Sequence, residues 1–304
     1  MNYYNDIREL IGHTPLVRLN HMGFPETVGV FAKLELWNPG GSVKDRMGVA
    51  LVEDAEKRGI LKPGSTILEA TAGNAGIGIA LAALGKDYRV IFAVPEKFSQ
   101  EKQAIMRALG AEIVNTPLEK GMQGAFEKVE QLKAEVNYPV TLNQFGNPQN
   151  PLAHYSGTGP EIYSNLDGDI QYLVAGAGSG GTLSGIAKYL KERIPSLRCV
   201  MADPYGSTMG GGEAGCYAIE GIGNTFMPET MDMALVDEVV KIYDNQALEE
   251  VRLLAAKEGI LAGSSSGAAL AAARETAARA AKGSNIVVVL PDRGDRYFSK
   301  QLFL

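Results

Sequence analysis

The apolar residues of this chain cluster in short unbroken runs. "TILEA" (66–70), "RVIFAVP" (89–95), "YLVAG" (172–176), "CVMADP" (199–204) and "IVVVLPD" (286–292) lack the in–out alternation of a half-solvated strand. Such runs predict strands buried on both faces. Segments with helical spacing lie between them, at about 75–84, 121–136, 181–194, 246–258 and 266–281. "SQEKQAIMRALG" adds another, with Ser99 as its N-cap and Gly110 as its stop. "AEIVNTP" and "VTLNQF" (140–145) supply further strands. Strand followed by helix, repeated along the chain, predicts an α/β fold with mostly parallel, doubly wound sheets. "QFGNPQNP" (144–151) is the best candidate for a crossing between domains.

Bulk properties narrow the partners. A chain of 304 residues fits two domains of ordinary size, and 21% charged residues is ordinary for a globular protein. The net charge is -6 with no long basic run, so neither nucleic acid nor an anionic membrane is an expected partner. The start, "MNYYNDIREL", lacks the basic-then-apolar pattern of a secretion signal, and "GIGIALAALG" is far short of a membrane span. Cys199 and Cys216 form no CxxC, which points to a reducing compartment, the cytoplasm. His13, His21 and His154 are scattered without metal-ligand spacing, so no metal site is expected.

Three strand-to-helix junctions are rich in glycine and serine, and ligands of such sheets sit where strands lead into helices. In "EATAGNAGIG" (69–78), Gly73 and Gly76 free the backbone around Asn74, and the amides that follow suit a carboxylate or phosphate. A tight structural turn fits the same residues. In "VAGAGSGGTLSG" (174–185), Gly176, Gly178 and Gly181 have GxGxxG spacing, and Asp203 ends a strand about 20 residues on, close to a dinucleotide-binding fingerprint. The rival reading is that Gly178 to Thr182 form a compact cup for one phosphate at a helix N-terminus. In "LAGSSSGAALAAA" (261–273), three serines precede an alanine-rich helix, where capping needs only one. Lastly, "NPGGSVKDR" (38–46) breaks the backbone with a proline and two glycines, then sets Lys44 on a new helix, facing either water or a cavity.

Taken in order, "IGHTPLVRLN" (11–20), "AKLELWNPGGSVKDR", "EATAGNAGIG", "NQFGNP", "GAGSGGTLSG", "IEGIGN", "GSSSGAA" and "LPDRGDRYFS" (290–299) resemble the fold-type II pyridoxal-phosphate enzymes. Within that class they look most like the cysteine synthase and cystathionine β-synthase family. The resemblance covers nearly the whole chain and implies a tryptophan synthase β-like fold. It also implies a smaller domain over 43–150, carrying the Asn loop, and a larger one over 1–42 and 151–304, carrying the phosphate cup. The site lies between them.

By this resemblance Lys44 is the catalytic lysine that forms the Schiff base with pyridoxal 5'-phosphate. Burial near other positive groups lowers a lysine pKa and frees its amine to act. Gly178, Ser179, Gly180, Gly181 and Thr182 match the phosphate cup, and Asn74 matches the contact to the ring hydroxyl. Thr71, Ala72, Gly73, Asn74 and Ala75 match the loop for the substrate carboxylate, with Gln144 as a second contact. Gly221 and Gly223 match a segment lining the mouth, and Ser265 matches the hydroxyl at the pyridine nitrogen. A neutral hydroxyl does not hold a proton on that nitrogen as a carboxylate does, so the electron sink is weaker and suits β-elimination better than transamination.

The implied reaction is β-replacement on O-acetyl-L-serine by a thiol, through an aminoacrylate, in a ping-pong sequence. Homocysteine would give cystathionine and sulfide would give cysteine. The common loop of the family reads TSGNT, whereas this chain reads "TAGNA". Ala72 removes bulk and a hydrogen bond beside the reacting carbon, which favours the larger thiol; neutral drift is the alternative. "TAGN" together with "PEKFSQEKQ" (95–103) looks most like the bacterial O-acetylserine-dependent cystathionine β-synthase branch. Neither a regulatory C-terminal module nor a haem-binding extension is expected, which favours O-acetylserine over serine. Homodimers are usual in the family. Whether a serine acetyltransferase docks at the site is not readable in the sequence. The readings held beside this one are a lyase on the same fold, a catalytically retired binding protein, and an NAD-dependent oxidoreductase resting on residues 176–181 and Asp203.

Overall fold

The buried runs become strands close to where their pattern predicts them. The structure, a computed structural model, describes residues 3–71, 73–96 and 98–303. Its strands are β1 (Leu16–Arg18), β2 (Gly29–Leu34), β3 (Thr66–Ala70), β4 (Arg89–Pro95), β5 (Glu112–Thr116), β6 (Pro139–Val140), β7 (Tyr172–Gly176), β8 (Arg198–Pro204), β9 (Glu238–Ile242) and β10 (Asn285–Leu290). The α-helices are α1 (Lys44–Lys57), α2 (Asn74–Ala83), α3 (Gln100–Ala108), α4 (Gly121–Lys133), α5 (Gln149–Ala153), α6 (Gly159–Asn165), α7 (Gly181–Lys191), α8 (Asp244–Glu258) and α9 (Ser264–Arg279). A π-helical turn, His154–Thr158, joins α5 to α6. No helix among the described residues is long and apolar enough to cross a membrane.

The strands form two sheets. One runs β1-β2-β10-β7-β8-β9 and the other β5-β4-β3-β6. Among the named strands of the described residues, only the β1–β2 pair is antiparallel. In the larger sheet, Val288 pairs with Ala32 on one side and Val174 on the other. All three are buried, and covering a valine side chain contributes about 1.5–3 kcal/mol. The run "VTLNQF" departs from its prediction: only Pro139 and Val140 pair, because the next amides turn to a buried carboxylate, Glu69, instead of a neighbouring strand.

Local signals behave as their chemistry dictates. Ser99 caps α3 by accepting from the Lys102 amide at 3.2 Å, and Gly110 takes the left-handed conformation just past the helix, at φ +87°. The capping alternative for these serines does not hold: Gly263 occupies the N-cap, and Ser264 and Ser265 line a cavity between the two sheets. Helices α1 and α2 touch backbone to backbone. A Cβ on Gly48 would lie 2.2 Å from the Gly78 carbonyl carbon, and one on Gly78 would lie 2.3 Å from the Lys44 carbonyl oxygen. These two glycines hold the start of α1, with Lys44, against the helix that begins at Asn74.

Candidate active site

A cavity of about 910 Å³ opens between the two sheets. Lys44 enters it from the first position of α1, and its Nζ donates to the Ser179 Oγ at 3.4 Å. The side chain is partly open to the cavity, yet burial by protein atoms pushes its amine down to about 8, against an opposing pull from Asp292. Lys44 lines the cavity and does not sit at a solvated helix start.

The glycine turn beyond β7 forms the opposite wall. Gly180 is left-handed, at φ +82°, and leads into the eleven residues of α7. The amides of Ser179, Gly180, Gly181 and Thr182 have no protein acceptor among the described residues. Free amides at a helix N-terminus make a cradle for a phosphate dianion. The space is closed to side chains: a Cβ on Gly178 would lie 2.4 Å from the Gly221 carbonyl oxygen, and one on Gly181 2.1 Å from the Asn150 Oδ1. The Thr182 hydroxyl lies 3.2 Å from the His154 Nε2, and the His154 Nδ1 lies 2.9 Å from the Thr158 hydroxyl. Burial, helped by the charges of Arg46 and Lys44, pushes His154 down to about 3. A neutral imidazole has one donor and one acceptor nitrogen, which matches two hydroxyls.

The Asn loop lies beside Lys44. The Thr71 hydroxyl accepts from the amides of Gly73 and Gly76, both at 3.1 Å, which fixes the turn into α2. Gly73, Asn74 and Ala75 line the cavity; Ala72 lies outside the described residues. The Asn74 Nδ2 donates to Asp292 at 2.6 Å, and its Oδ1 accepts from Arg296 at 3.1 Å. Gln144 approaches from the far side. Its Nε2 donates to the Ala70 carbonyl at 3.4 Å, and Glu69 accepts the amides of Leu142, Asn143 and Gln144, each at 3.1 Å. Burial raises the Glu69 carboxyl above its usual range even though three amides favour its charged form.

Ser265 is buried, lines the cavity from the start of α9, and faces Gly221, where a Cβ would lie 3.7 Å from its Oγ. Gly223 also lines the mouth, its amide donating to the Ala177 carbonyl at 2.8 Å. Several wall residues escaped sequence reasoning. Asp292 accepts from Asn74 and, at 2.5 Å, from the Tyr297 hydroxyl. Lys102 donates to that hydroxyl at 2.7 Å and to Glu220 at 3.2 Å. Their signal was present in "SQEKQ" and "LPDRGDRY", as charged positions inside otherwise patterned runs. Asp203 is occupied elsewhere: its carboxylate accepts from Lys241 at 2.7 Å and from the Gly210 amide at 3.0 Å. It does not line the cavity, so the acid that a dinucleotide ribose needs is not at the site.

A lysine amine, a phosphate cradle and a hydroxyl at the far end of one crevice define a site built for a phosphorylated aldehyde cofactor. A family model described as pyridoxal-phosphate dependent enzyme matches residues 7–292, and the chain belongs to that family. It is 52% identical over 303 residues to the O-acetylserine dependent cystathionine beta-synthase of Bacillus subtilis (strain 168), covering 100% of this chain and 99% of the relative. It is 43% identical to a cysteine synthase of Staphylococcus aureus (strain Mu50), covering 98% of this chain and 97% of the relative. The crystal structure of O-acetylserine dependent cystathionine beta-synthase from Helicobacter pylori matches with a TM-score of 0.96 at 44% identity, over 100% of both chains. The enzyme's cofactor is pyridoxal 5'-phosphate. The site fits it: the amides of 179–182 have no protein acceptor among the described residues, and the glycines at 178 and 181 stand where any side chain would clash with the protein.

Proposed function

We propose that this enzyme replaces the acetate of O-acetyl-L-serine with a thiol, and that homocysteine is preferred over sulfide, making cystathionine the main product. The observation that carries the reading is the placement of the Lys44 amine in the cavity, 3.4 Å from the Ser179 Oγ and beside the Asn loop; burial also pushes it down to about 8. When bound, pyridoxal phosphate supplies the electron sink for negative charge at the substrate α-carbon. The amides of Gly178–Thr182 and the Thr182 hydroxyl would hold its phosphate, Ser265 its ring nitrogen and Asn74 its ring hydroxyl. Thr71–Ala75 and Gln144 would hold the substrate carboxylate, with Gly221 and Gly223 at the mouth. Lys44 takes the α-proton as the bond from the β-carbon to acetate breaks, acetate leaving with the electron pair. The thiol adds as its thiolate, its proton released to solvent; the sulfur gives an electron pair to the β-carbon, and Lys44 returns the proton to the α-carbon.

Two things support homocysteine: the likeness to proteins named for cystathionine synthesis, and a cavity of about 910 Å³, ample for a second amino acid. The likeness to cysteine synthases supports sulfide as the runner-up. We also propose a cytoplasmic homodimer and two domains, 43–150 against 1–42 with 151–304, that close on the substrate and exclude water. The test is kcat/KM for homocysteine and for sulfide at saturating O-acetylserine, with Lys44→Ala alongside. Homocysteine should be the better thiol, and Lys44→Ala should lose at least about 10²–10⁴-fold, the range for a general base. A higher value for sulfide would reverse the order of thiols. A fully active Lys44→Ala would end the proposal.

A further inference from the structure

We propose that Asn150 is a positioning residue that couples the amino-acid end of the site to its phosphate end. The inference rests on reading Gln144 as a carboxylate contact and Gly178–Thr182 as the phosphate cradle. Asn150 is buried on α5, and its Nδ2 donates twice, to the Gln144 carbonyl at 2.7 Å and to the Ser179 Oγ at 2.9 Å. An amide NH₂ has two hydrogens, so both are committed. The two acceptors belong to different ends of the cavity. Gln144 is fixed to the Asn-loop side by Glu69 and Ala70, whereas Ser179 lies within the phosphate turn and also receives Lys44.

The remaining atom makes the case sharper. The Asn150 Oδ1 is buried with no hydrogen-bond partner. It packs where a Cβ of residue 181 would stand, so the glycine there makes room for it. A buried oxygen without a partner is a cost that an apolar side chain of the same size would avoid. What the apolar side chain would lose is the double donation. A phosphate that immobilises Ser179 therefore also steadies Gln144, and an amino acid held by Gln144 steadies the cradle, since coupling between two binding sites is reciprocal.

The test uses holoenzyme and L-2-aminobutyrate, an amino acid with no β-leaving group, titrated by the absorbance change of the bound cofactor. Cofactor affinity is measured separately by equilibrium dialysis, and the phosphate environment by ³¹P NMR. Asn150→Leu fills the same space without donors; Asn150→Ala is its smaller companion. Both should weaken aminobutyrate and cofactor roughly tenfold each, as expected for one lost hydrogen bond at each end, and shift the ³¹P signal. In a Gln144→Ala background, Asn150→Leu should weaken aminobutyrate less than about twofold, because no side chain remains to be misplaced. Loss of cofactor affinity with unchanged aminobutyrate affinity, or full multiplication of the two effects, would overturn the coupling. If Gln144→Ala alone leaves aminobutyrate affinity unchanged, it is the carboxylate reading of Gln144 that fails. The wild-type protein gives the same answer without any substitution. Refilled with pyridoxal, it should bind aminobutyrate more tightly when inorganic phosphate is added, and no effect of phosphate would contradict the proposal.

Discussion

The Lys44 Nζ lies 3.4 Å from the Ser179 Oγ, although the two residues are 135 apart in the chain. The contact exists because α1 enters the crevice from one side and the turn before α7 from the other. The amine that we propose as nucleophile and the turn that we propose as phosphate cradle are thereby set at a fixed spacing, which is what orientation contributes to catalysis.

The first prediction concerns pH. An amine reacts in its unprotonated form, and burial places that of Lys44 at about 8. The rate at which cofactor-free protein captures pyridoxal phosphate should rise as pH climbs through about 8 and level off above it. The negative charge of Asp292 raises the Lys44 value, so Asp292→Asn should move this midpoint to lower pH. Stopped-flow absorbance across a pH series measures both. An upward shift in the variant would refute the electrostatic account.

Gly181→Ala tests the cradle. Its new Cβ would meet the Asn150 Oδ1 at 2.1 Å, so the turn or Asn150 must move. Overpacking of this kind costs about 1–3 kcal/mol, and we expect cofactor affinity to fall roughly tenfold or more, read by equilibrium dialysis. Unchanged affinity would mean that the turn does not hold the phosphate.

Asp45 makes a prediction about stability. Burial pushes its carboxyl up to about 7, although Arg296 and the Gly40 amide pull the other way. Its ordinary value is 3.8, so between about 4 and 7 the folded chain holds a proton that the unfolded chain has released. This contribution therefore declines as pH rises through that window and is level above it. Asp45→Asn cannot ionise. Its stability relative to wild type, from urea unfolding, should rise from about pH 4 to 7 and then stay constant. A flat difference would show that Asp45 is ionised in the fold.

What was legible in the sequence follows from how local each signal is. Strands β4 and β7 were readable from their apolar runs, and the cap at Ser99 from one side chain and its neighbours. The turn at 178–182 was readable because its residues are contiguous. Asn150, Glu69 and Asp292 were not, since each acquires its meaning from a partner brought by the fold. Asn74 and Asp292, for example, meet across 218 positions. Periodicity says that a side chain is buried, but not whom it meets. The strand expected at 140–145 failed for the same reason: Glu69, 73 to 75 residues away, takes the amides a sheet would have used.

The most direct test of the central claim is the absorbance spectrum of the purified enzyme, recorded before and after O-acetylserine, with homocysteine or sulfide then added in separate cuvettes. The account predicts a violet band that shifts with O-acetylserine and returns with a thiol, faster with homocysteine at low concentration, and that is absent in Lys44→Ala. No violet band in the wild-type protein, even after added pyridoxal phosphate, would contradict the assignment of Lys44 and with it the proposed reaction.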